Sequence, residues 1–367
     1  MAKSSNPESP LIPEPPKSIL LTRLTARGDV VFSSPMVRAL HRKYPNARIS
    51  WLGESHTVGL IEHHPELHRV FNWDRGRWKV LLGDGKLPTL LREISQLVRG
   101  LREEKFDVVI DMQGLVRSGI MAVLSGARTR IVMRPKEGSH FFAHSVVDRH
   151  RNQGDPQEIC SHYRFLAGEL GLSTEDFRME VPLTREDRSF AEGLIHEHGL
   201  ESGYAVAIPH TTRPQKHWIE DRWATLMDRL HEDLGLSTVI LGGSTDLEAD
   251  ERIRGQASAK VVSVVGKTTL RQASALIEKA SLVIGVDTGL THIGIAFDRP
   301  TVGLYGSNVP YTETFTDRAR ILIHWLDCVP CKGNPTCDGD FTCLRLITVD
   351  EVMEATRDLL AEPAGLT

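Results

Sequence analysis

The chain has 367 residues, 40% hydrophobic and 25% charged, which suits a globular protein of about two domains with real cores. A formal charge of −4 excludes a global attraction to nucleic acid or anionic membranes, so affinity for an anionic partner must come from a local basic patch. No apolar run approaches the roughly 20 residues that span a bilayer, and residues 1–17, rich in Pro, Ser and Glu, lack the apolar core of a signal peptide and read as a flexible extension. A cytoplasmic location is therefore expected.

In chain order, residues 18–24 (SILLTRL) form a short apolar run of β character, followed by a turn at Thr25-Ala26-Arg27-Gly28-Asp29. A helix is expected over about 30–43, then strands at 48–53 and 69–73, a long amphipathic helix over 87–104, a buried strand at 107–112 and a helix from about 116. The alternation weakens over 184–203, read as a helix plus linker between domains, and then restarts. Strands are expected at 204–208, 237–242, 261–265, 282–286 and 301–305. The helices between them are expected over 221–234, 247–257, 270–280 and 290–297, and a last helix over about 349–361. Strands alternating with helices predict βαβ units and parallel sheets. The expected organisation is an N-terminal Rossmann-like domain over 18–190, a C-terminal Rossmann-like domain over 200–345, and a helix and tail over 346–367. Two doubly wound α/β domains facing a central cleft are the layout of GT-B glycosyltransferases, and ligands of such sheets bind at the carboxyl ends of the strands.

Three segments after strands carry the chemistry. In Val286-Asp287-Thr288-Gly289-Leu290-Thr291-His292 a buried strand runs through a Gly-containing turn into a helix, whose free N–H groups and dipole favour an anion. Thr288 adds a hydroxyl, Gly289 lets backbone approach a phosphate, and His292 can contact it. Asp287 either caps the turn or meets a donor hydroxyl. The alternative is an ordinary N-cap with a core-facing His. The segment from Pro209 to Trp218 offers Thr211, Thr212, two His and two cations, of which Lys216 suits a departing diphosphate; a solvated basic loop is the alternative. After the first strand, Thr25 to Asp29 is not a G-x-G-x-x-G turn, which disfavours a dehydrogenase. It sets Asp29 either as a helix N-cap or as a general base. Arg75, Arg77 and Lys79, interleaved with Trp73 and Trp78, can grip an acidic acceptor, or form a solvated surface loop.

Taken together, these segments resemble glycosyltransferase family 9, the lipopolysaccharide heptosyltransferases, with the closest look to heptosyltransferase I. The resemblance rests on Val109 through Ser118 (VIDMQGLVRS), His210 through Trp218, and Val286 through His292 with Asp298-Arg299-Pro300. It implies inverting transfer of L-glycero-D-manno-heptose from an ADP-linked donor to a Kdo sugar on lipid A. It implies Asp29 as catalytic base, Lys216 facing the donor phosphates, and a donor loop of Asp287, Thr288, Gly289 and His292 assisted by Thr211 and Thr212. It places an acidic residue, Glu248 or Asp246, near the ribose, and an acceptor site at Arg75, Arg77, Lys79, Gln113 and Arg117. Arg27 departs from the family, where a smaller or apolar residue is usual.

The implied partners are a nucleotide-sugar donor and a lipid A/Kdo-type glycolipid, with peripheral contact at the inner membrane and no nucleic acid. No Asp-x-Asp pair stands ready to hold Mg²⁺ beside a diphosphate, so transfer without a metal or other cofactor is expected. Cys328, Cys331, Cys337 and Cys343 are spaced C-x2-C-x5-C-x5-C. Four thiolates can bind structural zinc, but this is not a well-marked zinc spacing, and reduced thiols in a packed loop are the preferred reading. The rival functions are a family member with another nucleotide sugar or acceptor, and a non-catalytic nucleotide-sugar-binding protein of the same fold.

Overall fold

The computed structural model describes residues 11–13, 15–148, 157–331 and 334–361. Contacts divide the chain into two compact units, one within Met1–Gln153 and Cys160–Pro182, the other within Gly154–Ile159 and Leu183–Thr367. Each is built on a six-stranded parallel sheet.

In the first unit the strands are β1 (Ser18–Thr22), β2 (Arg48–Glu54), β3 (Arg69–Trp73), β4 (Val108–Asp111), β5 (Thr129–Met133) and β6 (Ser145–Val147), in the order β3-β2-β1-β4-β5-β6. Its helices are α1 (Arg27–Ser33), α2 (Pro35–Lys43), α3 (Arg75–Gly83), α4 (Leu87–Glu103), α5 (Val116–Leu124) and α6 (Ser161–Glu169). Every residue of β1 and β4 is buried, as a strand covered on both faces must be. The chain runs outward from β1 to β3 and then crosses to β4, so the switch point lies between β1 and β4. Of the extension expected to be flexible, residues 1–10 and 14 lie outside the described residues. Ile12 and Pro16 are buried, and the Lys17 N–H donates to Asp107 Oδ2 at 2.7 Å.

The second unit repeats the plan with β7 (Tyr204–Ile208), β8 (Ser237–Ile240), β9 (Val261–Ser263), β10 (Leu282–Val286), β11 (Thr301–Tyr305) and β12 (Ala319–Ile323), in the order β12-β11-β10-β7-β8-β9. Its helices are α7 (Arg185–His198), α8 (Glu220–Leu234), α9 (Leu247–Arg254), α10 (Leu270–Lys279), α11 (Gly289–Ala296), α12 (Thr342–Arg345) and α13 (Val349–Ala361). The switch point here lies between β7 and β10. α7 opens on a capping box in which Thr184 and Asp187 satisfy each other's backbone N–H. It packs on α10 through Arg188–Glu278 and Arg271–Asp187 ion pairs.

The structure departs from the periodicity in a few places. The single helix expected over 30–43 is two, because Pro35 has no N–H to continue the first and instead starts the second. The basic segment expected as a loop is α3, capped by Asp74, which accepts the Arg77 N–H at 3.0 Å. β5, β6, β12 and α6 were not expected.

α11 lies unusually close to β10. A Cβ at Gly285 would run into Thr291 Oγ1 and approach Ile208 Cβ at 3.0 Å, and one at Gly294 would meet Thr301 Oγ1 at 2.7 Å. Gly285 lets the first turn of α11 sit against β10, and Gly294 lets its last turn sit against Val283 of β10 and Thr301 of β11. Gly285→Ala is expected to destabilise the protein by about 1–3 kcal/mol through overpacking. Urea unfolding followed by circular dichroism checks this, and an unchanged midpoint would show that the contact yields freely.

Candidate active sites at the strand ends

In the first unit the turn after β1 starts with Arg23, a buried cation at the end of an apolar strand. It donates from Nη1 to the Met112 carbonyl at 2.7 Å, stacks 6.0 Å from the Tyr163 ring, and forms a close ion pair with Asp29. Burial alone would lower the guanidinium pKa, but Asp29, Tyr163 and Asp111 outweigh it and hold it above its ordinary value. Asp29 is not the N-cap that was one alternative: α1 is capped at Ala26, and Asp29, its third residue, accepts the Ala26 N–H at 3.4 Å. Its side chain is still 41% exposed and can meet a ligand.

The turn after β4 reaches back to the same place. Gln113 Oε1 accepts the N–H groups of Leu24 and Thr25, both at 3.1 Å, and Arg117 donates to Thr25 Oγ1 at 3.0 Å. Asp111 sets this turn by accepting from Ser118 Oγ at 2.7 Å and from the N–H groups of Gln113 and Gly114. Its burial raises its pKa against those bonds. Gly114 has φ +67°, and a Cβ there would sit 2.5 Å from the Met133 carbonyl oxygen, so only glycine fits.

Beyond β2 and β3, Glu54 lies 3.7 Å from Arg75 and 3.8 Å from His56. Burial lowers the His56 pKa; Glu54 raises it, and the nearby cations Arg27, Arg117 and Arg75 lower it again. The turns after β1 to β4 thus bring Gln113 and Arg117 onto Thr25, in the same turn as Asp29, and set Arg27, Arg75 and Arg117 around His56. Arg77 instead pairs with Glu93 at 2.8 Å, and Lys79 is exposed. Arg23 and His56 were not singled out from sequence. Arg23 had a signal, since a cation inside a buried apolar run needs a partner.

In the second unit the turns after β7 and β10 meet at the switch point. Lys216 pairs with the Asp287 carboxylate, Asn308 Nδ2 donates to Asp287 Oδ2 at 2.7 Å, and His292 Nε2 lies 3.5 Å from Oδ1. Burial would raise the Asp287 pKa, but His292 and Lys216 bring it down to about 2. His292 is buried, and its Nδ1 lies 2.8 Å from the Tyr311 hydroxyl, which is bonded in turn to Tyr305 at 2.6 Å. An Nε2–H facing Asp287 leaves Nδ1 to accept from Tyr311. This His is therefore core-facing, one of the two alternatives at this position, and it bears on the site through Asp287. Asp287 does not cap the turn: its partners are Lys216, Asn308 and His292. Thr288 occupies the N-cap of α11 without a side-chain capping bond.

The Lys216 loop is fixed at both ends. Trp218 is buried edge-on to Trp223 and donates from Nε1 to the Ile347 carbonyl at 2.9 Å, while His217 Nε2 donates to the Thr211 carbonyl at 2.8 Å. Thr211 is half-buried and Thr212 exposed. Asp246 accepts the Gly243 N–H at 2.7 Å, leaving Glu248, exposed on α9, as the more accessible of the two carboxylates considered for a ribose. His210, one of the two His of this segment, is buried against Gly242 and has its pKa lowered by burial; Asn308, which follows β11, was not singled out from sequence.

All five cysteines are free thiols. Among the described residues no group of three His, Cys, Asp or Glu side chains is placed to hold a metal, although Cys328, Cys331 and Cys337 lie near enough to Cys343 to raise its pKa. Cys331 Sγ bonds the Ser307 carbonyl at 3.5 Å instead, and the Cys343 thiol, buried against Gly306, is pushed up in pKa by that burial.

Residues 94–339, well over half of the chain, match the model of glycosyltransferase family 9 (heptosyltransferase). The chain belongs to glycosyltransferase family 9. It is 27% identical to lipopolysaccharide heptosyltransferase 1 of Escherichia coli K12 over 300 residues, 80% of this chain and 88% of that one. Its fold matches a family 9 glycosyltransferase of Veillonella parvula with a TM-score of 0.78 at 23% identity, covering 94% of this chain and 97% of that one. It matches the E. coli heptosyltransferase WaaC with ADP-2-deoxy-2-fluoro heptose at a TM-score of 0.67 and 21% identity, covering 93% and 99%. The fold of this family 9 member is of the GT-B type.

The depressed Asp287 pKa predicts a pH effect on stability. Its folded value of about 2 lies below the ordinary 3.8, so its contribution is full above about pH 4 and is lost as pH falls toward 2. That contribution is on the order of 2 kcal/mol. Thermal melts between pH 5 and pH 2 are expected to show this loss in the native chain and a flatter slope in Asp287→Asn, and parallel curves would overturn it.

Proposed function

We propose that the chain is an inverting glycosyltransferase that moves L-glycero-D-manno-heptose from ADP-heptose to the Kdo/inner-core region of lipopolysaccharide. The observation that carries this reading is the half-exposed Asp29 carboxylate, paired with Arg23 and four residues after the Thr25 that Gln113 and Arg117 meet. A carboxylate among cations suits a base acting on an anionic sugar. The cations draw the acceptor's negative groups, and Asp29 takes the proton from the attacking hydroxyl. ADP-heptose as donor is supported by the ADP-sugar named with WaaC.

In the second unit, Lys216, the hydroxyls of Thr211, Thr212 and Thr288, and the first N–H groups of α11 at Gly289 stabilise the charge that grows on the departing diphosphate. Asp287 and His292 fix Lys216, and Glu248 takes the ribose. These charges do the work that a divalent cation does elsewhere, so transfer proceeds without one. The Arg75, Arg77 and Lys79 cluster, with Gln113 and Arg117, receives the acceptor. The enzyme works in the cytoplasm, in peripheral contact with the inner membrane; among the described residues no helix is long and apolar enough to cross a membrane. Arg27 favours a second reading, a family 9 enzyme whose acceptor carries a different anionic group, with the same base and donor loop.

Asp29→Asn is expected to lower kcat by about 10²–10⁴-fold while leaving ADP affinity unchanged by calorimetry. Near-native turnover would remove Asp29 as the base. Lys216→Ala is expected to weaken ADP binding and lower kcat together. Calorimetry with ADP, UDP and GDP, followed by transfer from ADP-heptose to Kdo-lipid A in the presence of a chelator, tests the donor and metal independence. A preference for UDP or GDP would overturn the donor, and a chelator-sensitive reaction would overturn the absence of a metal.

A further inference from the structure

Eleven large hydrophobic side chains stand exposed among the described residues, and seven of them lie on one part of the first unit. Val80 and Leu82 are on α3, and Leu87 and Leu91 on α4, each between 51% and 63% exposed. Ile120 and Val123 are on α5, and Phe141, 81% exposed, belongs to the short turn Ser139–Phe142 that packs on α5. No other large hydrophobic residue of this unit is exposed among the described residues.

The topology explains the grouping. From β3 to β6 each connection steps the same way across the sheet, so right-handed crossovers put α3, α4 and α5 on one face; the connections from β1 to β3 step the other way and put α1 and α2 on the opposite face. α4 turns Leu90 and Leu101 into the core. Leu87 and Leu91, one turn apart, share its outward stripe.

The same surface is basic. Residues 74–93 hold five cations, Arg75, Arg77, Lys79, Lys86 and Arg92, against Asp74, Asp84 and Glu93, a local excess of positive charge in a chain of net charge −4; Arg77 pairs with Glu93 and Lys86 with Asp84 at the exposed surface. Residues 82–88, joining α3 to α4, are all exposed. Half-buried Trp78 lies beside them, its ring 5.7 Å from that of Trp73. Apolar side chains framed by Lys and Arg, with an amphipathic ring at the border, match a bilayer surface with anionic headgroups. A second copy fits poorly, because a two-fold interface would set this basic patch against itself.

We propose that the α3–α4–α5 face of the first unit docks on an anionic phospholipid bilayer, the α3–α4 tip inserting Leu82, Leu87 and Leu91 while Lys86 and Arg92 meet headgroups. The proposal builds on the reading of the acceptor as a glycolipid. Its test uses vesicles without acceptor, so loss of vesicle binding and loss of transfer are separate results.

The full chain is floated with phosphatidylethanolamine–phosphatidylglycerol vesicles and with pure phosphatidylcholine vesicles. Binding to the first, weak binding to the second and release by salt are expected. The triple variant Leu82→Ser, Leu87→Ser, Leu91→Ser is expected to bind at least about tenfold less with an unchanged melting temperature. Leu247→Ser, exposed on the second unit, is expected to bind as the native chain does. Should the triple variant melt early, Lys86→Glu with Arg92→Glu tests the same face through charge and is expected to lose the phosphatidylglycerol preference. No binding to the anionic vesicles, full binding by well-folded variants, or a dimer in sedimentation that the triple variant dissociates would overturn the proposal.

Discussion

A carboxylate at the end of a parallel strand inside a protein stays ionised only if the chain supplies its counter-charges. Asp287 is the clearest case here. It ends β10, it is buried, and Lys216, His292 and Asn308 close around it from three other segments. Each of those segments is held in turn: Lys216 by the Trp218 anchor, His292 by the Tyr311–Tyr305 pair, and α11 by the two glycines that let it approach β10. The organisation of the second unit around its switch point follows from keeping that one charge paired.

The first unit solves the same problem with the signs exchanged. Its buried ion is the cation Arg23, and the carboxylate that neutralises it, Asp29, is the partner left half in solvent. The consequence differs. A buried acid leaves its half-buried lysine as the partner nearer solvent, a cation that would suit the diphosphate of the proposed donor. A buried arginine leaves its acid as the partner nearer solvent, a carboxylate that would suit the hydroxyl of the proposed acceptor. One topology thus presents opposite chemistry at its two switch points, through which partner it buries.

Much of this was legible in the sequence. β1, β7, β10 and β11 read cleanly because buried parallel strands are near-continuous apolar runs, and the switch-point turns stood out because Gly, Thr and charged residues followed those runs directly. What escaped was set by tertiary contacts. β12 and β6 sit at sheet edges, where β12 is only half-buried and β6 is three residues long, and α3, with Gly76 and three cations, has no apolar stripe for a helical period to reveal. His56 and Asn308 are ordinary loop residues until the sheet order places the ends of β2 and β11 beside β1 and β10. Asp287 read as a cap or a donor contact because its cations lie on other segments, up to 71 positions away. His292 read either way, since one turn into a helix can face a ligand or a core.

The pairing of charges also bears on how ligands enter. Lys216 already holds Asp287, so a diphosphate arriving there joins an ion pair rather than meeting a bare cation, and its negative charge competes with that of Asp287. The second carboxylate oxygen keeps His292, so Asp287 retains a partner when the lysine turns toward phosphate. Removing His292 would leave Asp287 dependent on Lys216 and tighten the lysine's hold on it, drawing it from the ligand. Under the proposed function, the buried histidine would thereby set how freely the lysine turns toward a phosphate. A chain that buried Asp287 with Lys216 alone would gain a stronger ion pair and lose the exchange on which an anion site depends.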